Sequence, residues 1–134
     1  MKNPYSLPAR LRGLAVTTAL LLVASAAARA PLFHAELKKS EPADKAVLTA
    51  PPTELRLWFS EPPTLALSKV TLTRGKDTIA VGALSRGKAE MDPVVAKITK
   101  PAAAGDYVVN WRAMADDGHV SNGAFRFTVK AAVH

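Results

Sequence analysis

Beyond the apolar N-terminal quarter, hydrophobic and polar positions alternate with period two, and turn residues break the alternation at short intervals. That is the pattern of half-buried strands. Leu55, Leu57 and Phe59 share one face of an expected strand, with Glu54, Arg56 and Trp58 on the other. Val70 and Leu72 point inward while Thr71 and Thr73 point out, and Arg74-Gly75-Lys76-Asp77 turns the chain into 78–81. Further strands are expected at 94–99, 107–112 and 125–129. The segment 107–112 is apolar on both sides in its first half, which suits a central position. Pro51-Pro52, Pro62-Pro63, Asp92-Pro93 and Lys100-Pro101 punctuate the connections. No segment past the N-terminal quarter shows a helical period of useful length. The spacing predicts an all-β, seven-stranded antiparallel Greek-key sandwich or barrel, immunoglobulin-like in outline.

The chain's start differs. Lys2, Arg10 and Arg12 precede the apolar run 13–28, which ends in small residues, the form of an export signal. The run is slightly short for a spanning helix. The expected organisation is a cleaved signal peptide over 1–33 and one domain over 34–134. The leader carries Lys2, Arg10, Arg12 and Arg29 and no acid, so its removal lowers the net charge from +7 to about +3. The remaining bases are scattered without a basic patch, and nucleic acid is not an expected partner. With no cysteine, thiolate zinc sites, iron–sulfur clusters and blue-copper ligation are excluded.

The residues with chemical interest are few. In an extended backbone Asp117 and His119 would project from one face, carboxylate beside imidazole, with Gly118 between them adding no side chain. Alone, Asp-Gly-His reads more naturally as a polar turn between Trp111 and Phe125. His34 shifts that balance. If cleavage makes it the first residue, its amine and Nδ1 close a six-membered chelate on a metal. The amine, with a pKa of about 7.7–8.0, gives up its proton readily near neutral pH. Amine, two imidazoles and a carboxylate form a tetragonal N/O set suited to Cu(II). Small-x-small residues lie earlier, at Ala28-Arg29-Ala30, so the amine ligand depends on where processing ends. Glu61, leaving a strand at the Pro62-Pro63 corner, is a weak oxygen ligand, a hydrogen-bonding partner of an imidazole or an exposed strand end. Asp116 and His134 are expected in solvent. Trp58 and Trp111 are expected in the core or lining the site. Met91 and Met114 do not make a thioether cluster for Cu(I). No nucleophile motif or phosphate loop accompanies these residues, so no enzyme is expected.

The run from His34-Ala35-Glu36-Leu37 through Ser40-Glu41-Pro42-Ala43-Asp44, then Leu57-Trp58-Phe59-Ser60-Glu61, resembles the CopC family of periplasmic copper-resistance proteins. So do Gly105-Asp106-Tyr107 through Asn110-Trp111-Arg112, Asp117-Gly118-His119 and Ser121-Asn122-Gly123-Ala124-Phe125. The resemblance implies a Greek-key fold related to cupredoxins. It also implies a Cu(II) site of His34, Asp117 and His119 with Glu61 nearby, and a monomer that binds periplasmic copper. A CopD-like inner-membrane partner would receive the ion. Two other functions fit the same residues, a histidine-brace copper monooxygenase and a metal-free immunoglobulin-like interaction module.

Overall fold

The structure, a computed structural model, describes residues 34–133. The expected signal peptide over 1–33 and His134 lie outside these. Eight strands follow one another: β1 (Leu37–Glu41), β2 (Ala46–Leu48), β3 (Glu54–Phe59), β4 (Lys69–Arg74), β5 (Asp77–Ile79), β6 (Val94–Lys97), β7 (Gly105–Met114) and β8 (Val120–Val129), with one 3-10 turn at Leu65–Leu67. They form two sheets, ordered β1-β3-β6 and β2-β8-β7-β4-β5. The class matches the expected Greek-key sandwich, with one strand more than seven. The strands that the alternation did not announce are β1 and β2. In β1 only Ser40 is fully buried, and β2 is three residues long, so neither carries a readable period.

All pairings are antiparallel except β2 with β8, which is parallel. The corner before β2 explains how so short a strand joins the edge of β8. Arg126 N–H donates to Asp44 Oδ1 at 3.1 Å, and Lys45 N–H donates to the Arg126 carbonyl at 2.6 Å. The Asp44 side chain thus continues the ladder where backbone pairing stops.

The inward faces are those the alternation marks. Leu55 and Leu57 of β3 and Val94 and Ala96 of β6 meet Val70, Leu72, Tyr107, Val109, Phe125, Phe127 and Val129 of the larger sheet. Each large side chain buried there contributes about 1.5–3 kcal/mol. The ring of Tyr107 stacks on Phe127, with centroids 5.0 Å apart, and its hydroxyl donates to the Ala103 carbonyl. The middle strand of the larger sheet is β7, as its apolar first half suggested. It pairs with β8 without a break from Gly105↔Val129 to Met114↔Val120.

One end of the sandwich is shaped by an aromatic contact. Phe59, the last residue of β3, meets Trp111 of β7 edge-to-face at 5.3 Å. Opposite Trp111 in the register stands Gly123, where an added Cβ would lie 2.7 Å from the indole. Glycine is required there by the closeness of the ring. Just beyond Phe59 and Trp111 the chain reaches Ser60 on one side and the β7–β8 turn on the other.

Candidate metal centre

The β7–β8 connection runs from Ala115 to His119, five residues. Ala115 N–H donates to the His119 carbonyl and Gly118 N–H to the Ala115 carbonyl, each at 2.9 Å, and Gly118 has φ +84°. A β-turn followed by a left-handed glycine is a common hairpin closure. Nothing lies within 4 Å of a Cβ added at Gly118, so the need for glycine there is conformational. Asp117 and His119 are therefore not two residues of one extended strand, as the period-two argument had them. They come together because the chain folds back: Asp117 Oδ1 accepts His119 N–H at 3.0 Å, and Oδ2 lies 2.7 Å from His119 Nδ1. The tripeptide is a polar turn and a carboxylate–imidazole pair at once, because an aspartate that caps its own turn delivers its second oxygen to the ring two residues on.

These contacts favour the ionised carboxylate. The Asp117 carboxyl is held below the ordinary carboxylate range, first by the backbone N–H of His119 and then by the His119 ring. Desolvation opposes this, and the charges of His119 and His34 add smaller lowering effects. An ionised carboxylate only accepts, so Nδ1 is the donor in this contact, and in the neutral ring Nε2 is then the nitrogen that carries the lone pair.

The second imidazole comes from the other end of the described chain. The His34 ring lies 5.3 Å from that of His119, centroid to centroid, inclined at 82°. The arm that carries it runs past the end of β3. Ala35 is 1% exposed and plugs the arm into the fold. Ser60 then holds both flanks: its hydroxyl donates to the His34 carbonyl at 2.9 Å and accepts Glu36 N–H at 3.0 Å, while Ser60 N–H donates to the Glu36 carbonyl at 2.8 Å. The Glu36 side chain pairs with Lys38 Nζ at 2.6 Å, and that bond, then the Lys38 charge, lowers its carboxyl, with a smaller contribution from His34.

His34, Asp117 and His119 are thus gathered at one place, two imidazoles edge to face and a carboxylate clamping one of them. No group of three or more histidine, aspartate or glutamate side chains among the described residues already converges as a metal cage. Both oxygens of Asp117 are turned to His119. Glu61 is half-buried and lines a recess with Pro62, Glu90, Met91 and Asp92. Among the described residues it makes no hydrogen bond to either imidazole. Asp116 is exposed but accepts a hydrogen bond from Thr64 Oγ1 at 3.0 Å, which ties the turn to the β3–β4 connection. Trp58 is neither core nor site lining: it lies on the outer face of the smaller sheet with Lys39 Nζ 4.4 Å from its ring centroid. Met91 is exposed at 56%, and Met114 is half-buried opposite Val120. The residues that sequence reasoning passed over are Ser60 and Thr64. Their only signal was position, one at the end of a strand and one beyond the proline pair.

The family model described as CopC domain matches residues 37–130, beginning three residues after His34. The chain is 31% identical over 120 residues to Copper resistance protein C of Xanthomonas campestris pv. juglandis, covering 85% of this chain and 94% of that one. It is 38% identical over 107 residues to Copper resistance protein C of Escherichia coli, covering 74% and 83%. The crystal structure of PcoC, a methionine-rich copper resistance protein from Escherichia coli, superposes with a TM-score of 0.65 at 33% identity. That superposition covers 73% of this chain and all of the other.

Proposed function

The chain belongs to the CopC family, which consists of copper-binding resistance proteins and not enzymes, and from that premise we propose that it holds Cu(II) in the periplasm and passes it on. In this reading the leader over 1–33 is removed and His34 becomes the first residue of a domain spanning 34–134. Its amine and Nδ1 chelate the ion, His119 supplies Nε2, and Asp117 supplies a carboxylate oxygen. Glu61 would reach the ion only as a weaker oxygen donor from its recess at the end of β3.

One observation carries the proposal: the 5.3 Å separation of the two ring centroids. With metal–nitrogen distances of about 2.0–2.1 Å, two imidazoles on one ion keep their centroids ~4.5–6.5 Å apart, so the rings already stand at ligand spacing. The donor set is nitrogen and oxygen only, and Cu(II) binds such a set most tightly among the first-row divalent ions. The Asp117 contact to Nδ1 supports the same reading, since a second partner that fixes a histidine's tautomer is the usual companion of a metal-bound imidazole. To ligate directly, Asp117 gives up one of its two bonds to His119 and keeps the other.

Transfer follows from exposure. The side chain of His119 is 49% exposed and that of Asp117 40%, so an incoming ligand from a partner reaches the ion without the fold opening. A CopD-like inner-membrane protein is the partner the family suggests. No helix among the described residues is long and apolar enough to cross a membrane.

Titrating the processed protein with Cu(II) while following the d–d absorption tests this. One equivalent is expected, lost when His34→Ala and His119→Ala are combined. Unchanged stoichiometry in that double variant refutes the proposal. Intact mass of the secreted form reads the first residue, and a mature chain beginning upstream of His34 removes the amine ligand.

A further inference from the structure

We propose that Ser60 is the positioning residue of the metal centre, the hydroxyl that sets where the N-terminal histidine stands. The inference rests on the copper reading above and adds a residue to it. Three bonds converge on Ser60, and all three go to the arm: its hydroxyl to the His34 carbonyl, Glu36 N–H to that hydroxyl, and its own N–H to the Glu36 carbonyl. Regular β1–β3 pairing cannot do this work. Its register shifts between Leu37 and Lys39, so the ladder is already irregular before the chain reaches His34. Ser60 re-forms the pairing beyond that irregularity, one side chain substituting for a missing stretch of strand.

The chemical consequence lies in the atoms held. Chelation by a terminal histidine uses the amine and Nδ1, leaving the carbonyl carbon as the other backbone substituent on Cα. With that carbonyl bonded to Ser60 and Ala35 buried behind it, the position of Cα is set. Only the torsions of one residue remain to bring amine and ring onto the ion. Without the hydroxyl, Glu36 N–H keeps only its bond to the His34 carbonyl at 2.8 Å. The backbone bond from residue 60 N–H to the Glu36 carbonyl stays, but nothing from β3 then holds the His34 carbonyl, and ordering that residue is charged against copper binding. The arrangement is also directional, since the hydroxyl accepts from Glu36 and so has its own proton free for His34.

Ser60→Ala and Ser60→Thr, purified after export and processing, are compared with the parent by competition titration against a Cu(II) chelator, electron paramagnetic resonance and thermal melting. Ser60→Ala removes both hydroxyl bonds, but Glu36 N–H keeps its bond to the His34 carbonyl, so it is expected to bind Cu(II) about tenfold more weakly, the worth of the one bond that anchors His34, with a changed copper hyperfine splitting. Ser60→Thr keeps the hydroxyl and restores both readings. The decisive comparison is the cycle with His34→Ala: in that background Ser60→Ala should leave residual copper binding unchanged, because the ligand it positions is gone. Equal effects of Ser60→Ala with and without His34 overturn the proposal, as does a Ser60→Ala protein that binds with parental affinity and spectrum. Failure of the copper reading looks different, because the parent protein itself then takes up no Cu(II), and that result overturns both.

Discussion

His119 is held by groups within four residues of it, whereas His34 is held by a serine twenty-six positions away. The hairpin half of the centre is local. A two-strand ladder, a left-handed glycine and an aspartate capping its own turn place carboxylate and ring together whatever the other sheet does. The arm half depends on the sandwich being assembled, because Ser60 belongs to the end of β3 and His34 precedes β1. A pair of imidazoles made this way has one fixed partner and one docked partner. The fixed ring offers a defined lone pair, and the docked residue contributes the chelate. The two histidines should therefore fail for different reasons.

The largest separation of the two halves is expected from Asp117→Asn. Asparagine can still cap the turn through its oxygen, so the hairpin persists, but the anionic grip on His119 Nδ1 is gone and the ring no longer has one imposed tautomer. Loss of such a partner typically costs 10–100-fold in metal affinity, and that is the range expected by competition titration, with the melting temperature little moved. Parental affinity in Asp117→Asn would mean that the arm alone governs binding.

Gly123→Ala strikes the support of the hairpin half. The added methyl meets the Trp111 ring at 2.7 Å, and overpacking of this kind costs about 1–3 kcal/mol. Denaturant unfolding should show that loss, together with a changed near-ultraviolet signal from Trp111 as the indole leaves its contact with Phe59. Gly118→Ala should cost about 1–2 kcal/mol for a different reason, since its methyl meets nothing and only the left-handed backbone resists it. Gly118→Asn should recover most of that, asparagine being tolerant of the conformation. If Gly118→Ala were as stable as the parent, the turn would not be the rigid member of the pair.

How much of this was readable beforehand follows the same division. The inward faces at Leu55, Leu57, Val70, Leu72, Phe125 and Phe127 were legible because alternation on a one-sided sheet is forced by burial. Strands β1 and β2 were not, since a short edge strand is specified by its partner. Asp117 and His119 were legible as a pair, though for the wrong local geometry: spacing of two suits an extended strand, and here a capped turn produces the same proximity. Ser60 was invisible because its role exists only after β1 and β3 are paired. Glu61, its neighbour in sequence, drew attention as a carboxylate, yet the chain turns it into the recess beside Met91 and Asp92.

The smallest effect expected is the acid limb of stability, and it too distinguishes the halves. In the hairpin the Asp117 carboxyl is lowered chiefly by the His119 backbone N–H, and in the arm the Glu36 carboxyl is lowered chiefly by Lys38. For a carboxyl whose folded pKa lies below its unfolded value, the unfolded state binds more protons in the interval between them, so stability rises with pH there. The contribution is complete above the unfolded values, near 3.9 for aspartate and 4.3 for glutamate. It is lost as pH falls through the lower folded values. Both groups are exposed, so the limb is shallow. Carboxyl carbon NMR of the metal-free protein should show both resonances titrating below those ordinary values. Lys38→Met should return Glu36 toward its ordinary range and leave Asp117 where it was, because the arm's charge pair and the hairpin's turn share no hydrogen bond. If Asp117 moved as well, the two halves would be electrostatically one unit, and the separation of a fixed ring from a docked one would fail at its weakest interaction.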